Sequence, residues 1–210
     1  MFTKILKISF FLTLLLISSC GIKKSWEESG VYTSDNSLQS TYIWKKGKQY
    51  IAIVQTISFR GRNKKNTIHP INISQNTISN SFRKINYRIF EKDGKKSDLR
   101  PVFSKENIEL LSKKIPEALK KANKNQDVLF EVFQLRKKFW ILPTTIDTTA
   151  GYLFIEPGKI NIIFEKINED YQGYDYDEPR KVIGDSSIGI YGGKTKVAKG
   201  WIVLTSKSWE

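Results

Sequence analysis

The chain has 210 residues, with 35 Lys and Arg against 21 Asp and Glu, a formal charge of +14 at pH 7. It contains one cysteine, Cys20, and one histidine, His69. These counts exclude a disulfide within the chain, a cysteine-ligated zinc site and a multi-histidine metal centre; no cofactor and no metal is expected.

At the N-terminus, Lys4 and Lys7 precede ISFFLTLLLI, a mostly apolar run from Ile8 to Ile17. A membrane-spanning helix needs roughly 18 apolar residues or more, so this run fits the apolar region of a secretory signal instead. Ser18 and Ser19 follow, directly before Cys20. Ile17-Ser18-Ser19-Cys20 resembles the lipobox of bacterial lipoproteins, with Ile rather than Leu in its first position. The resemblance covers about the first tenth of the chain and ends there.

The resemblance implies that residues 1–19 are a lipoprotein signal peptide. It also implies that Cys20 is lipidated on sulfur and, once cleavage exposes its amine, acylated there by a chain such as palmitate. Each buried methylene contributes about 0.8 kcal/mol, so one chain holds marginally and two or more anchor stably. Gly21 stands where an aspartate would retain a lipoprotein at the inner membrane. By the same resemblance, the expected location is the outer membrane facing the periplasm, or the outer face of the cell membrane in a single-membrane host. Cleavage would also remove Lys4 and Lys7.

Residues 20–40 read as the lipidated cysteine and a polar, Ser-rich tether. Lys23 and Lys24 lie next to the lipid, where each is worth about 1 kcal/mol against an anionic surface. Residues 41–210 read as one α+β domain.

From Thr41 the chain has strand character. TYIWKKGKQYIAIVQTISF predicts a hairpin with Gly47 in its turn. GRNKKNTIHPINISQNTISN, Gly61 to Asn80, is polar and Asn-rich and reads as loop with a short edge strand. In FRKINYRIF, Phe82 to Phe90, the apolar Ile85, Tyr87 and Ile89 alternate with Lys84, Asn86 and Arg88. That period of two predicts a half-buried strand with a basic outer face, closed by the Asp-Gly turn of EKDGKK.

The pattern Ile108, Leu111, Ile115, Leu119, Ala122 predicts one principal amphipathic helix over about 104–122, capped by Ser104. Lys113, Lys114, Lys120 and Lys121 lie on its polar side. Pro116 is expected to kink it or start a second short helix.

VLFEVFQL, Val128 to Leu135, is apolar on both faces and suits a central strand. GYLFIEPGKINIIFEKI predicts a hairpin around Glu156-Pro157-Gly158-Lys159, and WIVLTS a last strand. Strands outnumber helices and adjacent ones look hairpin-linked, so a mainly antiparallel sheet with the helix packed on it is expected.

Four motifs invite a chemical reading. GIYGGKTK, Gly189 to Lys196, is one residue short of a phosphate-binding loop and leads into a strand instead of the required helix; a hairpin loop is expected. IGDSSIG, Ile183 to Gly189, echoes the serine block of GDSL-type hydrolases, but the only histidine is far upstream. NEDYQGYDYDEP, Asn168 to Pro179, puts Pro179 where an EF-hand requires its bidentate carboxylate, so it reads as an acidic surface loop, with an irregular calcium site as the alternative. In PTTIDTTAGY, Asp147 and its flanking threonines read as turn residues. As a catalytic group, Asp147 would need a second carboxylate, and the sequence does not pair one with it.

The expected function is that of a non-enzymatic accessory or structural subunit of an envelope assembly, joined to the membrane through Cys20 and to a protein partner. Export separates the basic domain from nucleic acid. The alternative partner is therefore an anionic lipid or a cell-wall polymer, including lipopolysaccharide, met by basic faces; an envelope hydrolase is the third reading. The candidate contact residues are Lys84 and Arg88 on the basic strand, Lys113, Lys114, Lys120 and Lys121 on the helix, and Tyr174, Asp175, Tyr176 and Asp177 in the acidic loop.

Overall fold

The computed structural model describes residues 40–56, 62–91, 93–136, 145–171, 188–195 and 200–205. The chain divides into two compact units: Met1–Tyr32 with Lys46–Lys48, and Thr33–Lys45 with Gln49–Glu210. Of the first unit, only Lys46–Lys48 is described; the fold below is that of the second.

The fold is α+β. A seven-stranded sheet is built from β1 (Thr41–Lys46), β2 (Gln49–Gln55), β5 (Gln126–Arg136), β6 (Thr145–Glu156), β7 (Lys159–Asp170), β10 (Trp201–Thr205) and β9 (Lys194–Thr195), in that spatial order. From β2 to β9 every pairing is antiparallel. A smaller antiparallel sheet has the order β4 (Arg100–Pro101), β3 (Asn86–Ile89), β8 (Ile188–Tyr191). Two helices, α1 (Gln75–Arg83) and α2 (Lys105–Lys121), complete the described elements.

The core follows from alternation along the strands. Ile51, Ile53, Val128, Phe130, Leu153, Ile162 and Phe164 share one face of the large sheet, and the register brings Val128 opposite Leu153 and Leu153 opposite Ile162. Against that face pack Ile78 and Phe82 of α1 and Leu111, Ile115 and Leu119 of α2. Phe103, just before α2, stacks on Phe82 at 4.8 Å between ring centroids and lies 5.9 Å from Phe130 and 6.0 Å from Phe164. Side chains of the opposite face, among them Tyr50, Leu129, Tyr152, Phe154, Ile163 and Trp201, are buried as well. There Trp201 donates its indole N–H to Asn161 across the β7–β10 pair, at 3.1 Å.

Gly151 is required by this packing. A Cβ at that position would stand 2.6 Å from the Ile163 carbonyl oxygen, so glycine permits the close approach of β6 and β7 beside the register shift at Ala150.

The helix expected over 104–122 forms as α2. The Ser104 hydroxyl accepts from the Asn107 backbone N–H at 3.2 Å, and Lys120 and Lys121 close the last turn. It runs through Pro116 as one element, where a kink or the start of a second short helix was expected; Ile115, Ala118 and Leu119 on both sides of the proline are fully buried and hold the turns together. It is also not alone, because α1 falls within the stretch read as loop. Ser74 caps α1 by accepting from Thr77 N–H at 3.0 Å, and Ile78 and Phe82, four residues apart, face the core. Phe82 and Arg83, assigned from sequence to a strand, end this helix. The strand itself starts at Asn86 and belongs to the small sheet.

The hairpins predicted around Gly158 and Gly47 are present. Gly158 has φ 66° between β6 and β7, with Glu156 paired to Lys159. Gly47 has φ 60° between β1 and β2. The segment with Asp147, expected as a turn, is the first half of β6. Thr145, Thr148 and Thr149 are β-branched and suit a pleated strand, and that preference prevails over their turn chemistry.

Candidate binding surface

Three clusters of polar side chains have defined roles inside the domain. Arg62 meets Asp127 end-on, Nη1 to Oδ2 and Nη2 to Oδ1 both at 2.6 Å, with neither side chain exposed. The guanidinium also lies 3.6 Å from the ring centroid of Phe154. Thr56 donates to the same carboxylate at 3.3 Å. A planar fork over an aromatic face and a bidentate carboxylate is a geometry that arginine alone provides.

His69 has both ring nitrogens engaged by backbone. Nδ1 is 2.9 Å from the Gln126 carbonyl oxygen and Nε2 is 3.1 Å from the Ile155 N–H. A carbonyl only accepts and an amide N–H only donates, so the neutral ring carries its proton on Nδ1. Burial pushes its pKa below the ordinary 6.5, against the opposing pull of the Gln126 carbonyl and the Asp127 charge. The histidine joins the 67–71 segment to β5 and β6. It provides no base for a nucleophilic serine, and the IGDSSIG serines lie outside the described residues.

Asp147, which the sequence left without a second carboxylate, has one beside it. The β6–β7 register places it opposite Asp170, and Arg136 bridges them: Nε to Asp147 Oδ2 at 2.9 Å, Nη2 to Asp170 Oδ1 at 2.6 Å. Burial raises the Asp147 pKa above its ordinary value, Arg136 draws it down, and Asp170 raises it again. A guanidinium forked across both carboxylates offsets one of their two charges and ties the ends of three strands. Among the described residues, no group of three or more His, Cys, Asp or Glu side chains is arranged to hold a metal.

GIYGGKTK is neither a phosphate loop nor a hairpin. β8 pairs with β3 in the small sheet and β9 pairs with β10 in the large one, so Gly192 and Gly193 carry the chain between sheets. Gly192 has φ 103°, and a Cβ there would fall 1.9 Å from the Lys84 carbonyl oxygen. These glycines serve a backbone crossing.

The expected contact residues separate. On α2, Lys113, Lys120 and Lys121 are exposed and Lys114 is half-buried. Glu117 takes Lys114 at 3.2 Å and Lys121 at 2.9 Å, which holds the Glu117 pKa below its ordinary value. Part of the expected lysine face is thus paired within the helix, and Glu106 and Glu109 are exposed among its cations.

Lys84 caps the C-terminus of α1 instead of lining a strand, while Arg88 lies on β3 as expected. Tyr174, Asp175, Tyr176 and Asp177 lie outside the described residues, as do Cys20 and residues 1–39. No described helix is long and apolar enough to cross a membrane.

The small sheet sets residues that the sequence reading passed over, Phe90, Lys96, Leu99 and Tyr191, beside Lys84 and Arg88. The Arg88 guanidinium carbon is 5.8 Å from the Tyr191 ring centroid, and Lys96 Nζ is 5.9 Å from that of Phe90. Leu99, Tyr191 and Ile89 are 49%, 39% and 39% exposed, and Lys84, Lys95 and Arg100 are exposed with them. The available signal was the mixture of aromatic, aliphatic and cationic residues in RIFEKDGKK.

No protein-family model, no curated protein and no solved structure matches this chain.

Proposed function

We propose that this chain is a lipid-anchored protein of the bacterial envelope, joined to a bilayer through Cys20. In this reading, the domain spanning residues 41–210 acts as a non-enzymatic accessory subunit that docks onto other envelope components. The observation that carries it is the position of the only cysteine, behind a cationic, then apolar, then small-residue segment and ahead of a polar tether. The roles of the buried polar groups support docking over catalysis. His69 is tied on both nitrogens, Asp127 is held by Arg62, and Asp147 shares Arg136 with Asp170.

The test is crosslinking of the intact protein in membranes of its host, followed by identification of the adducts. The reading expects one stable envelope partner that is recovered again when the tether is lengthened. Recovery of no protein adduct, in cells where the protein still fractionates with membranes, contradicts the docking role. The cysteine has its own test: Cys20→Ala releases the protein from the membrane fraction, and unchanged retention contradicts the anchor.

A further inference from the structure

We propose that the outer face of the small sheet β4-β3-β8 rests on the anionic phospholipid surface of the membrane that holds the chain, and so fixes how the domain is oriented there. The inference rests on the lipid-anchor reading and adds a second, independent contact to it.

Register defines this face. Asn86 pairs with Tyr191 and Arg88 with Gly189, so these four share one side, opposite the buried Ile85 and Tyr87. Phe90 lies on that side too: a Cβ at Gly189 would be 2.8 Å from its ring, and glycine leaves the room it fills. Lys96, bridged to Phe90, places its ammonium near that ring. The result is two aromatic rings, each with a cation beside it, with Leu99 exposed at the margin.

This combination matches a headgroup layer. An amphipathic tyrosine ring settles at the depth of the headgroups, Phe and Leu side chains reach the acyl boundary, and each Lys or Arg near an anionic surface contributes about 1 kcal/mol. Among described residues 84–98 the cations are Lys84, Arg88, Lys95 and Lys96, against the exposed carboxylates Glu91, Asp93 and Asp98, while Arg100, paired with Tyr87, falls on the other side. Asp93 is already paired with Lys95 at 2.8 Å. The local excess is positive, as is the whole chain.

An attraction this small does not hold a free protein, but a tethered one does not need more. On the lipid-anchor reading the contact is intramolecular, and a short linker gives it an effective concentration in the millimolar range.

The test uses the full-length mature protein with a fluorophore on Leu99→Cys, in vesicles carrying a headgroup-level nitroxide quencher. With Cys20 lipidated, the introduced thiol is the only one. Quenching at position 99 is expected to be several-fold stronger in vesicles containing phosphatidylglycerol than in phosphatidylcholine alone. It should fall back with added salt or with the Arg88→Glu, Lys96→Glu pair, and be weak for a probe at Lys113→Cys on α2. Equal quenching at 99 and 113, or indifference to phosphatidylglycerol, overturns the proposal. Shielding of position 99 only when envelope proteins are added also overturns it, and assigns the face to a protein. A Cys20→Ser version carrying the same probe, held to the vesicle by an N-terminal His-tag on a nickel-chelating lipid, separates the two claims. Salt-sensitive quenching there on phosphatidylglycerol vesicles upholds the face whatever the fate of the anchor.

Discussion

Arg62 and Asp127 face each other across two 2.6 Å contacts, and neither side chain reaches solvent. The pair joins the segment after β2 to the start of β5, and its cation lies on Phe154 of β6. Desolvating two charges is costly, and the geometry offsets it only while both partners are present.

Removing one partner is therefore more damaging than removing both. Asp127→Ala is expected to destabilise the domain by about 3–5 kcal/mol, because it leaves a buried guanidinium unpaired. The double change Arg62→Met, Asp127→Leu should cost clearly less. Urea denaturation of the two variants beside the parent checks this; equal losses would show that the charges do not act as a pair.

His69 makes stability depend on pH with a defined sign. Its folded pKa is below 6.5, chiefly because the ring is buried. Between the folded pKa and 6.5 the unfolded chain binds more protons. The contribution is complete above 6.5 and is lost as pH falls through the window. Protonation also places an N–H against the donor N–H of Ile155. The urea midpoint should drop as pH is lowered from above 6.5 to below it, and drop less in His69→Gln. An equal slope in both proteins would remove His69 as the cause.

Arg136 is the third test. Its loss leaves Asp147 buried beside Asp170 without the bridging cation. Arg136 is itself partly exposed, so the cost at neutral pH should be about 1–3 kcal/mol. The folded pKa of Asp147 is already raised and rises further without the arginine. Its protonation in acid then recovers stability. Arg136→Ala should thus be closer to the parent at acid pH than at neutral pH, and a gap independent of pH would contradict this.

How much of this was legible in the sequence depended on how local the signal was. The α2 pattern and the Pro157-Gly158 hairpin are set by neighbouring residues; a helix over Lys105–Lys121 and the hairpin at Gly158 formed there, the helix running on through Pro116. The α1 segment was missed because Asn, Ser, Thr and Ile are weak helix formers. That helix follows from its Ser74 cap and from burial of Ile78 and Phe82 against a sheet that a local reading does not contain. The same reason hid the Arg136–Asp147–Asp170 cluster and the small sheet. Asp147 and Asp170 meet through a hairpin register with two shifts near its open end, and Tyr191 reaches Arg88 across about a hundred residues of chain. Side-chain identity marked these residues as polar or aromatic, and only the pairing of distant strands gave them neighbours.

The central claim is that acyl chains on Cys20 hold an exported domain to a bilayer, and the intact mass of the protein purified from its host's membranes tests it most directly. The expected chain begins at Cys20, with residues 1–19 gone and the added mass of a diacylglyceryl group on sulfur plus an acyl group on the amine. A chain that keeps residues 1–19, or one whose Cys20 has an unmodified thiol, would contradict it.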